Sequence, residues 1–112
     1  MTILSRQEEN GNIIEVEGFF SIDKQDDFIH LVDESIIEKK HVIIDLSKTR
    51  FIDSSSLGLI IRMNERTNQE GLRFVIINIR EEIHQVFEIT GLINRLNIVD
   101  SLEAAVNFVE SK

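Results

Sequence analysis

Two rhythms of apolar residues run along the chain. In His41-Val42-Ile43-Ile44-Asp45-Leu46 the apolar positions are nearly continuous and largely β-branched, the pattern of a short central strand covered on both faces, and Leu72 to Ile77 repeats it. Elsewhere apolar residues recur every three or four positions, as on one face of a helix. From Asp23 to Lys40 they are Phe28, Ile29, Leu31, Val32, Ile36 and Ile37. Over residues 54–70 they are Leu57, Leu59, Ile60, Ile61 and Met63, after which the segment turns polar and stops at Gly71, a residue suited to a helix C-terminus. Asn78 followed by Glu81 begins a third helix over Ile83, Val86, Phe87 and Ile89, ending near Gly91. Asp100 and Glu103 have capping-box spacing for a fourth over Leu102, Ala105, Val106 and Val109, with a short strand from Asn97 to Val99 before it. At the start, Asn10-Gly11 lies between Ile3-Leu4 and an alternating Ile14-Glu15-Val16-Glu17. Both turn residues tolerate positive φ, so this predicts a tight hairpin.

The resulting order, β-β-α-β-α-β-α-β-α, predicts an α/β fold: one small domain over residues 1–112, a mixed β-sheet with an N-terminal hairpin, and about four α-helices joined by right-handed crossovers. No proline, repeat or low-complexity tract marks a linker. In such a sheet strand ends and helix starts meet along one edge, where ligands and partners usually bind. The segment of unusual chemistry at that edge is Phe51-Ile52-Asp53-Ser54-Ser55-Ser56-Leu57-Gly58.

Composition narrows the choice of partner. Twelve basic against twenty acidic residues give a net charge of −8, which repels phosphates and argues against direct nucleic-acid or anionic-membrane binding. The excess is uneven: residues 1–40 hold ten acids and four bases, residues 41–112 ten and eight. Cysteine is absent, so disulfides, thiol chemistry and cysteine-ligated metals are excluded. No apolar run approaches the roughly 20 residues that span a bilayer, and MTILSRQEEN lacks a signal-peptide pattern, so a cytoplasmic protein without membrane insertion is expected.

Asp53 and the three serines are first of all capping residues, since a helix leaves its first N–H groups unpaired and Asp or Ser side chains accept from them. A hydrolase elbow needs glycine two residues before the nucleophile, and Ile52, Asp53 and Ser54 hold that place for Ser54, Ser55 and Ser56. His30, His41 and His84 are too scattered to suggest a triad or a metal cluster. Asp45 and Asp53 both lie near strand ends, as a phospho-acceptor aspartate would, with Glu8-Glu9 as an acidic pair. That chemistry also wants a late lysine, and none occurs between Lys48 and Lys112. Phosphate-binding glycine motifs are absent, and no cofactor, metal or catalytic residue is expected.

The run Val42-Ile43-Ile44-Asp45-Leu46-Ser47 through Phe51-Ile52-Asp53-Ser54-Ser55-Ser56-Leu57-Gly58 resembles the central signature of the STAS domain family, specifically the bacterial anti-sigma factor antagonists. Gly71-Leu72, Thr90-Gly91-Leu92 and Ser101-Leu102-Glu103-Ala104-Ala105 extend the likeness over almost the whole chain. The resemblance implies a STAS-like domain that is a switch protein and not an enzyme. Its unmodified form binds an anti-sigma factor that is also a serine kinase, freeing the sigma factor. Phosphorylation on Ser54 ends that binding, and a PP2C-type phosphatase restores it. Ser55 and Ser56 are alternate acceptors. Asp53, Ser54, Ser55, Ser56, Leu57 and Gly58, with Ser21 and Asp23 in the early loop, are the implied partner-binding residues. Ser56 stands where the family commonly has glycine. Gly18-Phe19-Phe20-Ser21-Ile22-Asp23 replaces the family's G-x-L-D run, which leaves either Ser21 or Asp23 for the acidic position. Phe19 and Phe20 are either buried or part of an interface. The alternative function is a STAS interaction module of a larger signalling or transport assembly, with Ser54 only capping its helix.

Overall fold

The computed structural model describes residues 3–7 and 11–110. Its elements in chain order are β1 (Ile3–Gln7), β2 (Gly11–Val16), β3 (Gly18–Phe20), α1 (Gln25–Ile37), β4 (His41–Asp45), β5 (Thr49–Ile52), α2 (Ser54–Gln69), β6 (Phe74–Ile77), α3 (Glu81–Ile89), β7 (Asn97–Val99) and α4 (Leu102–Glu110). Five strands form the main sheet in the order β1-β2-β4-β6-β7. β1 is antiparallel to β2 and the other pairs are parallel.

The continuous apolar runs at 42–44 and 74–77 are explained by the period-two alternation of a strand with both faces covered. Ile14, Val42, Ile44, Phe74 and Ile76 point to a core shared with Phe28 and Val32 of α1, Leu59 and Ile60 of α2, and Ile83 and Phe87 of α3. Their neighbours Ile13, Ile43, Val75 and Ile77 point the other way, onto Ala105 and Val109 of α4. Three helices therefore cover one face and α4 the other. α1 and α2 are the crossovers that join β2 to β4 and β4 to β6, and the chain enters α2 at the candidate site.

Several expectations need correction. The hairpin strands pair as expected, Gln7 opposite Asn12, but Asn10 lies outside the described residues and Gly11 opens β2 instead of forming a turn. There its lack of a side chain serves close approach: a Cβ would stand 3.2 Å from the His41 carbonyl oxygen. Two strands went unforeseen. β3 and β5 pair in parallel as a separate two-stranded sheet, whose edge is closed by the Gly18 amide on the Lys48 carbonyl (2.9 Å) and which is bound to β2 of the main sheet by the Thr49 hydroxyl on the Val16 carbonyl (2.6 Å). At the helix starts, Arg80 and not Asn78 precedes α3, because Asn78 adopts a left-handed φ of 59°. Ser101 and not Asp100 caps α4, its hydroxyl accepting from the Ala104 amide at 3.1 Å. Ile37 and Ile89 are 78% and 85% exposed. Ile37 follows Phe28 by nine residues, which at about 100° per residue turns it to the opposite side of α1. Phe19 and Phe20 divide between the two alternatives: Phe20 is fully buried and Phe19 is 60% exposed.

Candidate functional site

The site is built where β5 hands the chain to α2. Asp53 takes an extended backbone (φ −78°, ψ 167°), its amide donates to the Phe20 carbonyl of β3 at 3.1 Å, and its side chain accepts from the Ser56 amide at 2.8 Å. Asp53 is thus the N-cap of α2, and Ser54 occupies the first helical position without serving as the cap. The hydroxyl and then the amide of Ser56 hold the Asp53 carboxyl below the usual carboxylate range, so it is an anion at neutral pH.

The three serines have different fates. Ser56 is fully buried and its hydroxyl accepts from the Gln25 side-chain amide at 3.1 Å. It is out of reach of any phosphoryl donor, which corrects its standing as an alternate acceptor and as a surface contact. Ser55 is exposed, but its hydroxyl accepts from Gln25 at 2.8 Å and donates to Asp53 at 3.2 Å. Ser54 is exposed, and among the described residues nothing engages its hydroxyl. Gln25, at the start of α1, thereby ties two of the three hydroxyls down and leaves one free. Sequence reading missed it because a side chain 30 positions away carries no local signal. The spatial neighbour that places it is the loop between β3 and α1.

That loop also carries the two early candidates. The Ser21 hydroxyl donates to Asp23 at 2.6 Å, and this hydrogen bond is the chief cause of a lowered Asp23 pKa. Of the pair, Asp23 is the exposed anion and Ser21 its half-buried support. Asp23 lies close enough to Asp53 for their charges to interact, so the loop and the helix start form one acidic face. Beside it lies an apolar patch: Phe19 and Phe51 meet in a tilted contact, 5.7 Å between ring centroids and 60° between ring planes, and Ile22 is 73% exposed. On the other side a shallow groove of 340 Å³ runs between Ser54, Leu57, Gly58 and Ile61 of α2 and a wall formed by Thr90, Leu92 and Arg95. Leu57 is mostly covered and Gly58 half-buried, so both shape the groove more than they project from it.

Other chemistry is not assembled. Asp45 is buried and accepts from the Ser47 amide at 2.9 Å in a tight turn, away from the phospho-acceptor role weighed for it. Among the described residues no three His, Cys, Asp or Glu side chains group as metal ligands. No helix among them is long and apolar enough to cross a membrane.

Comparison with known proteins decides the family. Residues 4–105 match the STAS domain family model. The chain belongs to the STAS domain family. Among sequence relatives, the anti-sigma F factor antagonist of Paenibacillus polymyxa is 27% identical over 81 residues, covering 70% of this chain and 69% of that one. Among solved structures, an anti-sigma factor antagonist from Mycobacterium paratuberculosis superposes with a TM-score of 0.85 at 18% identity, over 98% of this STAS domain and 94% of its own chain. The anti-sigma factor antagonist SpoIIAA in its unphosphorylated form superposes at 0.76 and 16% identity, over 99% and 100% of the two chains. The phosphorylated form of the same Bacillus protein gives 0.75 at 18%, over 97% and 100%. These structural likenesses establish the fold, and the STAS fold here is the α/β sheet described above.

Proposed function

We propose that this STAS domain is an anti-sigma factor antagonist, a switch without catalytic activity of its own, whose acceptor is Ser54. The observation that carries the reading is the state of the three serines: Ser54 alone is both exposed and without a hydrogen-bond partner among the described residues. The relatives named above support the class, and the exposed patch of Phe19, Ile22 and Phe51 beside the site supports a protein partner over a small molecule. The partner of this reading is an anti-sigma factor with serine kinase activity, the reset enzyme is a PP2C-type phosphatase, and the compartment is the cytoplasm.

In the forward step the Ser54 Oγ attacks the γ-phosphorus of kinase-bound ATP, the bond to the departing ADP breaks, and the hydroxyl proton leaves to a base on the kinase. The phosphoryl group adds a charge of about −1.5 to −2 at the start of α2, next to unpaired N–H groups and the positive end of the helix dipole, so the fold accepts it. At an interface the same dianion has to be desolvated beside Asp53 and Asp23, and docking is lost. Equal superposition on the phosphorylated and unphosphorylated forms of SpoIIAA agrees with a switch that acts on binding and spares the fold.

The test is incubation with ATP and the kinase recovered from the same cell, read by intact mass and peptide mapping. One phosphate on Ser54 in the native chain and none on Ser54→Ala is the expected result, with Ser54→Asp losing kinase binding. Equal modification of Ser54→Ala, or normal binding by Ser54→Asp, overturns the assignment.

A further inference from the structure

One arginine lines the groove beside Ser54 and a second lies next to it. Arg95 forms part of its rim. Arg62 stands next to the lining residue Gly58, because Ser54, Gly58 and Arg62 lie at successive i, i+4 positions on one face of α2. Gly58 leaves that face open, and the Arg62 guanidinium folds back over it, Nη1 lying 3.6 Å from where a Cβ would stand. No carboxylate among the described residues pairs with Arg62. Arg95 meets Glu65 at 3.4 Å, with both side chains more than half exposed. Such a surface pair contributes little and is readily exchanged.

We propose that Arg62 and Arg95 form a phosphate-binding pair that captures phosphorylated Ser54 in cis, drawing the phosphoryl group into the groove. The inference rests on the reading of Ser54 as the acceptor. A phosphoryl group is small against 340 Å³, and both arginines are exposed side chains that reach it by changing rotamers, without backbone movement. A phosphate dianion with three acceptor oxygens outcompetes the single charge of Glu65 for a bidentate guanidinium. Capture then does two things that repulsion alone does not. It occupies the groove at the docking face and neutralises the cations a partner's acidic groups would meet, and it shields the phosphoester from hydrolysis.

The experiment uses the full chain with phosphoserine installed at position 54 during translation by amber-codon suppression, followed by phosphorus-31 titration of the second phosphate ionisation. Opposite charges in contact favour the dianion, so the parent should titrate lower than the Arg62→Gln/Arg95→Gln double variant by about half a unit or more. Arg66→Gln removes a charge from the same helix far from Ser54 and should leave the parent value unchanged. A broad-specificity phosphatase should release phosphate from the double variant faster than from the parent. Parent and double variant that titrate together, or a shift as large in Arg66→Gln, overturn capture in cis. Since the phosphate is installed genetically, this outcome leaves the acceptor assignment standing. Failure of the kinase on Ser54 equally leaves the titration to be judged on its own.

Discussion

The joint between the two sheets sets where Ser54 sits, and it can be broken one atom at a time. Thr49 is fully buried on β5 and its hydroxyl donates to the Val16 carbonyl of β2 at 2.6 Å. Thr49→Val keeps the side-chain volume and deprives a buried carbonyl of that donor. A buried group left unsatisfied costs about 1–3 kcal/mol, and the added methyl offsets part of it, so a net loss of about 1–2 kcal/mol is expected. With a urea m-value of roughly 1–2 kcal/mol/M for a chain of this size, the unfolding midpoint should fall by about 1 M. Thr67 supplies the control. It is also fully buried, but its hydroxyl donates to Met63 one turn back in the same helix, at 2.7 Å. That local bond adds little to a helix, so Thr67→Val should lose under about 0.5 kcal/mol. Urea titrations followed by circular dichroism measure both. Equal losses in the two variants would refute the reasoning, since the cost would then come from burying valine and not from the joint between sheets.

Other outcomes follow from the same geometry. His41 accepts the Arg73 amide on Nδ1 at 2.9 Å, and burial, then the Arg73 charge, lowers its pKa from the usual 6.5. The unfolded histidine takes a proton near pH 6.5 and the folded one only at lower pH, so stability is fully present above 6.5 and declines as the pH falls to the native value. His41→Asn should flatten that part of the pH–stability curve, and an unchanged slope counts against the assignment. Gly71 has a φ of +79° with open space around a would-be Cβ. Gly71→Ala should therefore cost about 1–2 kcal/mol from backbone strain alone, read as a lower thermal midpoint, and Gly71→Asn less. Phe19→Ser and Phe51→Ser, which expose no core, should leave the midpoint nearly unchanged and weaken kinase binding in a titration. Normal binding by both would detach the aromatic patch from the docking face.

Much of this was legible from local pattern. The central strands at 41–45 and 74–77 came directly from continuous apolar runs, and the long helix from Ser54 from its periodicity and a terminal glycine. β3 and β5 were not legible: three- and four-residue strands show no period, and their pairing depends on the chain segments that precede them. Cap positions slipped by one or two residues at Arg80 and Ser101, where several polar residues in a row all suit a cap and tertiary packing chooses among them. The candidate site was found in sequence as a unit, Asp53 to Gly58. Which hydroxyl is free was decided by Gln25, and the arginines at Gly58 and on the groove wall came near one another only through the packing of α2 against the segment after α3.

The pairing of β2 with β4 gives way at Gly18 to the smaller ladder of β3 and β5, from which the chain steps into Ser54. That ladder spans three and four residues, so it is the segment whose transient peeling asks least of the domain. Amide hydrogen exchange should report it: Gly18 and Asp53, bonded to Lys48 and Phe20, should exchange sooner than the amides of β4. Under the proposed reading of Ser54, local opening of so short a ladder presents the serine to the kinase while the five-stranded sheet beneath it stays shut.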